Sequence, residues 1–352
     1  MKYSFIVPVY NRPDEVGELL ESLTHQTFRD FEVVVVEDGS TRSSKDVCAQ
    51  YADRITLAYY YKDNSGPGQS RNYGAERAHG DWLIVLDSDV VLPDGYLAAV
   101  DTSLSAMPEV DAWGGPDAAH ESFTPVQKAI SYSMTSFFTT GGIRGGKKTG
   151  ALDRFYPRSF NMGIRSDVYR QLGGFSKMRF GEDIDFSYRI IEAGHRTALL
   201  TDAWVWHKRR TDFRKFFRQV YNSGIARINL EKRHPGTMKL VHLLPTVFTV
   251  GVIGLLILFV LGLGLFLFSP DHMTAAVGFA LCELTLLPIL LYSAIIFLDS
   301  SIKNKSLWVG LLSIPAAFTQ LMGYGLGFIE AWWKRVVRGQ DEFTAFEKNF
   351  YK

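Results

Sequence analysis

Trp82-Leu83-Ile84-Val85-Leu86-Asp87-Ser88-Asp89 decides how this chain is read. The first five residues form a short apolar run, the pattern of a strand buried on both faces. Two carboxylates follow, one residue apart, at the strand's C-terminal edge. In open α/β sheets that edge is where ligands bind. Carboxylate oxygens spaced this way suit a hard divalent cation and the phosphate that accompanies it. A solvated turn, in which Asp bonds to nearby backbone, is the competing reading of the tripeptide alone. The flanking sequence has to choose between them.

Upstream of Asp87, strands and helices alternate. Tyr3 to Val9 reads as a first buried strand, and Phe31 to Val36 as a second that ends in Glu37-Asp38-Gly39-Ser40. Ile55 to Tyr61 reads as a third. Asp14 to Gln26 carries a helical apolar pattern through Val16, Leu19, Leu20 and Leu23. Ser44 to Ala52 and Gln69 to Ala78 are further helices. This alternation predicts parallel βαβ units and a doubly wound sheet. Residues at the strand ends then converge on one crevice: Pro8, Val9, Tyr10 and Asn11, then Glu37 and Asp38, then Asp87 and Asp89. Glu37-Asp38 can hydrogen-bond a nucleoside there, as an acidic residue bonds ribose in dinucleotide folds; a helix N-cap region is its alternative. No G-x-G-x-x-G follows the first strand, so an NAD-type dehydrogenase lacks its fingerprint, and no G-x-x-x-x-G-K-S/T occurs, which disfavours a P-loop NTPase.

Composition bounds the partners. The chain has 352 residues and a formal net charge of +1, which points away from nucleic acid. Cys48 and Cys282 have no metal-ligand neighbours, so neither a zinc site nor a disulfide framework is expected. Met1-Lys2-Tyr3 leads into a short apolar run broken by Pro8, not a long signal-like segment, so the N-terminal part is expected to stay in the cytosol.

Near Lys239 the composition changes. Leu243 to Phe268 carries no charge, Met273 to Leu298 carries only Glu283, and Leu307 to Ile329 is Gly-rich and interrupted by Pro315. Each is long enough to span a bilayer, which takes about 20 residues. Trp332-Trp333-Lys334-Arg335 closes the third like an interfacial anchor. The expected division is a catalytic domain at 1–235 and a membrane region at 236–352. Lys232-Arg233-His234, Lys303 and Lys305 favour the cytosolic side, consistent with two full crossings. A third crossing would put Lys334, Arg335 and Arg338 outside, and a re-entrant or interfacial third segment would avoid this.

Seven stretches in order make the resemblance specific. They are Phe5-Ile6-Val7-Pro8-Val9-Tyr10-Asn11-Arg12, Glu37-Asp38-Gly39-Ser40, Gly66-Pro67-Gly68-Gln69-Ser70-Arg71-Asn72, Asp87-Ser88-Asp89, Asn161-Met162-Gly163, Gly173-Gly174-Phe175 and Gly181-Glu182-Asp183-Ile184-Asp185. Across residues 1 to about 235 the chain resembles glycosyltransferase family 2. The resemblance implies an α/β, Rossmann-like GT-A fold that binds a nucleotide sugar, followed here by an α-helical membrane region. It also implies that Asp89 and Asp87 hold Mn2+ or Mg2+ with the donor diphosphate. Pro8, Glu37 and Asp38 would line the base and ribose pocket with Tyr10 and Asn11 beside them. Arg71 would either reach the nucleotide or fix the Asp-x-Asp loop. His207, after Trp204-Val205-Trp206, matches the late histidine that completes the metal shell in GT-A enzymes; a structural histidine is the alternative.

Glu182-Asp183 matches the family's acidic pair, with Asp183 as the base that deprotonates an acceptor hydroxyl and so gives inversion. Burial near Phe180 and Phe186 is expected to raise its pKa. A solvated helix start is the other reading of this acidic cluster. The basic stretch from Gly141 to Lys148 is expected either to close over a ligand or to lie loose on the surface. Arg209, Arg210 and Arg214 are expected to meet donor or lipid phosphates, or acidic membrane lipid.

The activity expected is metal-dependent, inverting transfer from a UDP- or GDP-sugar to a glycan or lipid-linked acceptor, in cell-envelope polysaccharide or glycolipid synthesis. The protein is expected to be integral to a bacterial inner membrane, in contact with its lipid and with no nucleic-acid partner. A processive polysaccharide synthase is the alternative, although Arg214-Lys215-Phe216-Phe217-Arg218-Gln219-Val220 does not match the Gln-x-x-Arg-Trp such synthases resemble one another in. A polyprenyl-phosphate sugar transferase and a catalytically dead membrane scaffold are the others. A transporter would need repeated membrane halves, which three unlike segments do not offer.

Overall fold

A computed structural model describes residues 1–118, 123–141, 150–151, 155–208 and 211–347. Residues 142–148 of the basic stretch, together with Arg209 and Arg210, lie outside the described residues. The chain divides into two compact units: Met1–Glu121, Lys147–Lys208 and Phe346–Lys352 form the first, Ser122–Gly146 and Arg209–Ala345 the second. Two stretches of the second unit therefore fall inside the 1–235 span expected of the catalytic domain.

In chain order the elements begin with β1 (Tyr3–Val9), α1 (Pro13–Thr24), β2 (Phe31–Asp38), α2 (Lys45–Ala49), β3 (Leu57–Lys62), α3 (Pro67–Ala75), β4 (Trp82–Leu86), β5 (Val90–Val91), α4 (Tyr96–Ala106), β6 (Ala112–Gly114) and β7 (Asp117–Ala118). Helices α5 (Pro125–Thr135) and α6 (Phe137–Thr140) belong to the second unit. The first unit resumes with β8 (Gly150–Ala151), β9 (Asn161–Arg165), α7 (Ser166–Gln171), α8 (Glu182–Glu192), β10 (Thr197–Leu199) and β11 (Val205–His207).

Eight strands form one sheet in the order β3-β2-β1-β4-β9-β6-β10-β8. Its first four strands are parallel, as the alternation predicts. Their side chains alternate between two apolar layers, as the strand period of two requires. Phe5, Val7, Val33, Val35, Ile84 and Leu86 face α1 and α4. Ile6, Val34, Val36, Leu83 and Val85 face the layer that contains Val168, Phe175 and Phe186. Each such side chain contributes about 1.5–3 kcal/mol on burial, so the strand ends project from a rigid base.

Beyond β4 the sheet departs from the all-parallel expectation. β9 runs antiparallel to both β4 and β6. Gly163 makes this close fit feasible, since a Cβ there would lie 2.1 Å from the Trp113 ring. A second sheet, β5-β11-β7, pairs His207 with Val90 and Trp206 with Val91 in antiparallel register.

The second unit continues with α9 (Phe213–Arg233), α10 (Leu244–Phe268), α11 (His272–Asn304) and α12 (Leu307–Trp332), and α13 (Glu342–Phe346) follows, its last residue belonging to the first unit. The segments Leu240–Phe268, His272–Asn304 and Leu307–Val337 are long and apolar enough to cross a membrane. Pro315 lies inside α12 and does not break it, contrary to the interruption expected from sequence.

Candidate active site

The site is built where β1, β2 and β4 end and where β11 returns. Asp87 and Asp89 leave β4, and β5 follows at once. Its antiparallel partner β11 carries His207 back onto the loop, so that Lys208 donates its backbone N–H to the Asp89 carbonyl at 3.2 Å. His207 Nε2 lies 3.2 Å from Asp89 Oδ1. Phe160 stacks on the imidazole, with ring centroids 5.1 Å apart and planes 21° apart. One ligand atom from each of Asp87, Asp89 and His207 lies within 4.8 Å of the others. Two carboxylates and an imidazole suit divalent first-row ions and Mg2+. These three residues therefore fit a divalent cation, and the turn expected of the tripeptide is also present, at Ser88 and Asp89.

Cations of the chain flank this cluster. Arg12, the residue before α1, pairs with Asp89. Arg71 on α3 bridges outward in two directions. Its Nη2 is 2.9 Å from Asp87 Oδ1, and its Nη1 is 3.1 Å from Glu182 Oε1. The guanidinium is only 4% exposed and lies 5.1 Å from the Phe175 ring centroid. Of the two roles open to Arg71 in the sequence, fixing the Asp-x-Asp loop is the one its contacts perform.

Glu182 and Asp183 open α8 after Gly181, whose φ of +84° is the left-handed region that glycine adopts without strain. Asp183 accepts from Arg158 Nε at 2.7 Å. Burial disfavours its charge, but Arg158, Arg71 and the Ile184 backbone N–H outweigh burial and hold its pKa below the usual carboxylate range. This corrects the expectation of a raised value at Asp183. Glu182 is the member of the pair that burial raises, with the Asp183 charge adding to it against the pull of Arg71. Asp185, third in the acidic cluster, is not at the site. It turns inward and accepts from Ser176 Oγ at 2.7 Å and Arg189 Nε at 3.0 Å.

The remaining sequence candidates divide into framework and surface. Glu37 is fully buried and accepts from Ser40 Oγ, from the Ser44 N–H at 2.6 Å and from Tyr59 Oη at 3.3 Å. Asp38 pairs with Lys62 Nζ at 2.6 Å and accepts the N–H groups of Ser65 and Gly66 at 2.9 and 2.8 Å. Both acids thus hold the loops around the crevice. Asn11 does the same. At φ +57° its Oδ1 accepts from the Thr41 and Arg42 N–H groups at 2.8 and 2.9 Å, which ties the end of β1 to the end of β2. Pro8 lies within β1, and Tyr10 beyond it is 53% exposed. Asn72 anchors the Gly-Gly-Phe loop, bonding Tyr169 Oη at 2.6 Å and the Phe175 N–H and carbonyl at 2.8 Å each.

Arg12, Arg158 and Phe160 were not assigned from sequence. Arg12 ends the first quoted motif, so a signal for it existed. Arg158 and Phe160 lie in an irregular stretch with no periodicity to mark them.

Residues 4–173 match the family Glycosyl transferase family 2. An uncharacterized glycosyltransferase of Haemophilus influenzae is 32% identical over 193 residues, 54% of this chain and 62% of that protein. A poly(ribitol-phosphate) beta-N-acetylglucosaminyltransferase, TarS, of Staphylococcus aureus is 39% identical over 93 residues, 25% of this chain and 16% of that protein. The chain thus spans less than two thirds of either relative. Among solved structures, a mannosyltransferase of Pyrobaculum calidifontis in complex with GDP-Man and Mn2+ superposes with a TM-score of 0.56. That match has 16% identity and covers 95% of this chain and 88% of the other, a likeness of fold.

Proposed function

We propose, from the premise that this chain carries a glycosyl transferase family 2 domain at residues 4–173, that it transfers a sugar from a nucleoside diphosphate to an acceptor hydroxyl with inversion. One observation carries the proposal. The cation-binding trio and the acidic pair lie on opposite sides of one buried arginine, Arg71.

Asp87, Asp89 and His207 hold the divalent ion, Mn2+ or Mg2+. When bound, that ion supplies Lewis-acid stabilisation of the departing diphosphate. Arg12 and Arg71 hold Asp89 and Asp87 in place around it. Tyr10 offers an exposed ring to the nucleobase. Pro8, Asn11, Glu37 and Asp38 shape the nucleoside pocket, the last three through the loops they fix.

Asp183 is the general base. Its depressed pKa keeps it ionised at neutral pH, and Arg158 fixes its orientation. It takes the proton of the acceptor hydroxyl as that oxygen bonds to the anomeric carbon. The bond from that carbon to the diphosphate breaks on the opposite face, and the electron pair leaves with the diphosphate. Glu182, held by Arg71, positions the start of α8 beside the base.

The acceptor is a glycan or lipid-linked glycan at a membrane surface, as in cell-envelope polymer synthesis. Support comes from the membrane-length helices of the same chain and from similarity to a transferase named for a poly(ribitol-phosphate) acceptor. The catalytic domain lies on the cytosolic face of a bacterial inner membrane. Lys232, Arg233, Lys303 and Lys305, which flank α10 and α11 at their paired ends, favour that side.

The test is nucleotide release from a panel of UDP- and GDP-sugars by the full-length chain, with acceptor extract, with and without Mn2+. One donor should respond, and Asp89→Asn and Asp183→Asn should each abolish the response. A flat result across the panel, or a response indifferent to both substitutions, overturns the assignment.

A further inference from the structure

Three helices of this chain have membrane length, yet they are packed differently. Only 11% of the apolar stretch of α10 and of α11 is buried, against 44% for α12. What covers α12 decides where it can lie.

Helices α10 and α11 form an antiparallel hairpin. Gly262 meets Gly278 backbone to backbone, Cys282 Sγ approaches the Phe259 carbonyl at 3.6 Å, and Phe266 packs on Phe279. Phe248 packs on Tyr292 nearer the open end. α12 joins this hairpin at the open end. Ser313 bonds Ser300 at 2.7 Å, Thr249 Oγ1 donates to the Leu321 carbonyl at 3.3 Å, and Phe318 packs against both Phe248 and Tyr292. Gly310 abuts Phe297 and Ser301, and Gly325 abuts Pro245 and Thr249.

The register of these contacts is informative. A helix that crossed beside α11 would progress towards Gly278 as its own residue numbers rise. Instead α12 moves from Ser301 to Tyr292 over residues 310–318, then stays at Pro245 to Thr249 over residues 318–325. It therefore runs across the base of the hairpin. The distal hairpin, from about residue 253 to 290, projects beyond it with Ile257, Val260, Leu267, Met273, Val277 and Leu284 exposed.

The second half of α12 has another neighbour that hydrocarbon would not accept. Gly323, Gly327 and the Tyr324 carbonyl pack against Val220, Tyr221 and Gly224 of α9. Tyr221 Oη bonds Glu330, and Arg335 Nε donates to Asn229 at 2.8 Å. The same α9 carries Arg214, Lys215 and Arg218 exposed on its surface. Moving this helix pair into the bilayer interior would bury those cations, at about 2.5–3.5 kcal/mol each on insertion scales. The first half of α12 is covered by α5, through Ala129 against Val309 and Ala316.

We infer that only the α10–α11 hairpin crosses the bilayer, and that α12 lies in the plane of the interface on the side of the hairpin's open end, bound to lipid headgroups and upper acyl chains. Its outer edge, Leu307, Trp308 and Leu311 with Trp332 and Trp333, is exposed and amphipathic enough for that depth. The C-terminal tail then returns to the side of residue 1, and Lys334, Arg335 and Arg338 meet the positive-inside rule. This placement stands independently of the catalytic assignment.

Single-cysteine labelling of the full chain in membrane vesicles tests it. In a Cys48→Ala, Cys282→Ala background, cysteines are placed at exposed Asp14, at Ser269 in the hairpin turn and at exposed Glu347. A membrane-impermeant maleimide added from one side should label Asp14→Cys and Glu347→Cys together, and Ser269→Cys only from the other side. Glu347→Cys labelling together with Ser269→Cys would overturn the inference, since α12 would then cross. A full-length C-terminal green fluorescent protein fusion reads the same topology without the cysteine changes: fluorescence is expected, and a dark, translocated reporter overturns the inference.

Discussion

Arg71→Met removes a buried cation that two carboxylates share, so its cost can be worked out from the contacts. Toward Asp87 the lost bond is 2.9 Å, but that carboxylate is 33% exposed, so water screens the pair and its share is about 1 kcal/mol. Toward Glu182 the bond is 3.1 Å to a side chain only 15% exposed, a charge-assisted bond that contributes about 2 kcal/mol. The total is about 3 kcal/mol, and Glu182 can limit it by taking up a proton. Burial has already raised the Glu182 pKa. A carboxylate whose folded pKa lies above its unfolded value binds more protons in the folded state, so stability falls as pH rises through that folded pKa. Loss of Arg71 steepens that fall.

Thermal unfolding of the full chain is the assay. A domain of this size loses about 2–4 °C per kcal/mol, so Arg71→Met should melt about 6–12 °C lower at pH 8. The deficit should shrink at pH 5. Arg71→Met combined with Glu182→Gln should recover about half of it, since the uncompensated charge is gone. An Arg71→Met protein within 1 °C of the parent at pH 8 would refute the account, as would a deficit that grows on acidification.

Other outcomes are expected elsewhere in the first unit. His207→Ala should raise the Mn2+ concentration for half-maximal nucleotide release on the order of 10–100-fold, read by titration of the purified enzyme. Asp183→Asn should lower turnover about 10²–10⁴-fold while donor binding, followed by calorimetry, is retained. Because Arg158 holds the Asp183 pKa down and the ionised form is the base proposed above, the acidic limb of the rate profile should lie below the usual carboxylate range. Arg158→Gln should move that limb to higher pH. Asn72→Ala breaks three bonds that hold the Gly-Gly-Phe loop and should cost about 2–3 kcal/mol in chemical unfolding.

The parallel half of the sheet was legible because burial on both faces leaves uninterrupted apolar runs. Val33 to Val36 and Leu83 to Leu86 can hardly be anything else, and the acids that follow them inherit their place. The antiparallel half was not legible. Asn161 to Arg165 is short, mixed in polarity and centred on a glycine, so its strand state is set by Trp113 across the sheet, not by its own composition. The direction of the Asp183 pKa was missed for a related reason. Its partner Arg158 is 25 residues earlier in a stretch without pattern, and no local rule pairs them. Pro315 misled because a proline in a long helix need not end it, and α12 runs through it from Leu307 to Trp332.

Strand β11 sets an order of assembly during synthesis. Asp87 and Asp89 leave the ribosome 120 and 118 residues ahead of His207, and the pairing of β11 with β5 is what sets the histidine beside Asp89. A nascent chain halted at residue 173, where the family match ends, would own the nucleoside crevice but neither the third cation ligand nor the acidic pair. On the proposed assignment, nucleotide-sugar chemistry therefore needs β11, the last strand of the first unit, to be in place. The polar helix α9 is next in the chain and the apolar α10–α11 hairpin follows it, so the last piece of the candidate site and the first helix of membrane length are only some 37 residues apart, from His207 to Leu244.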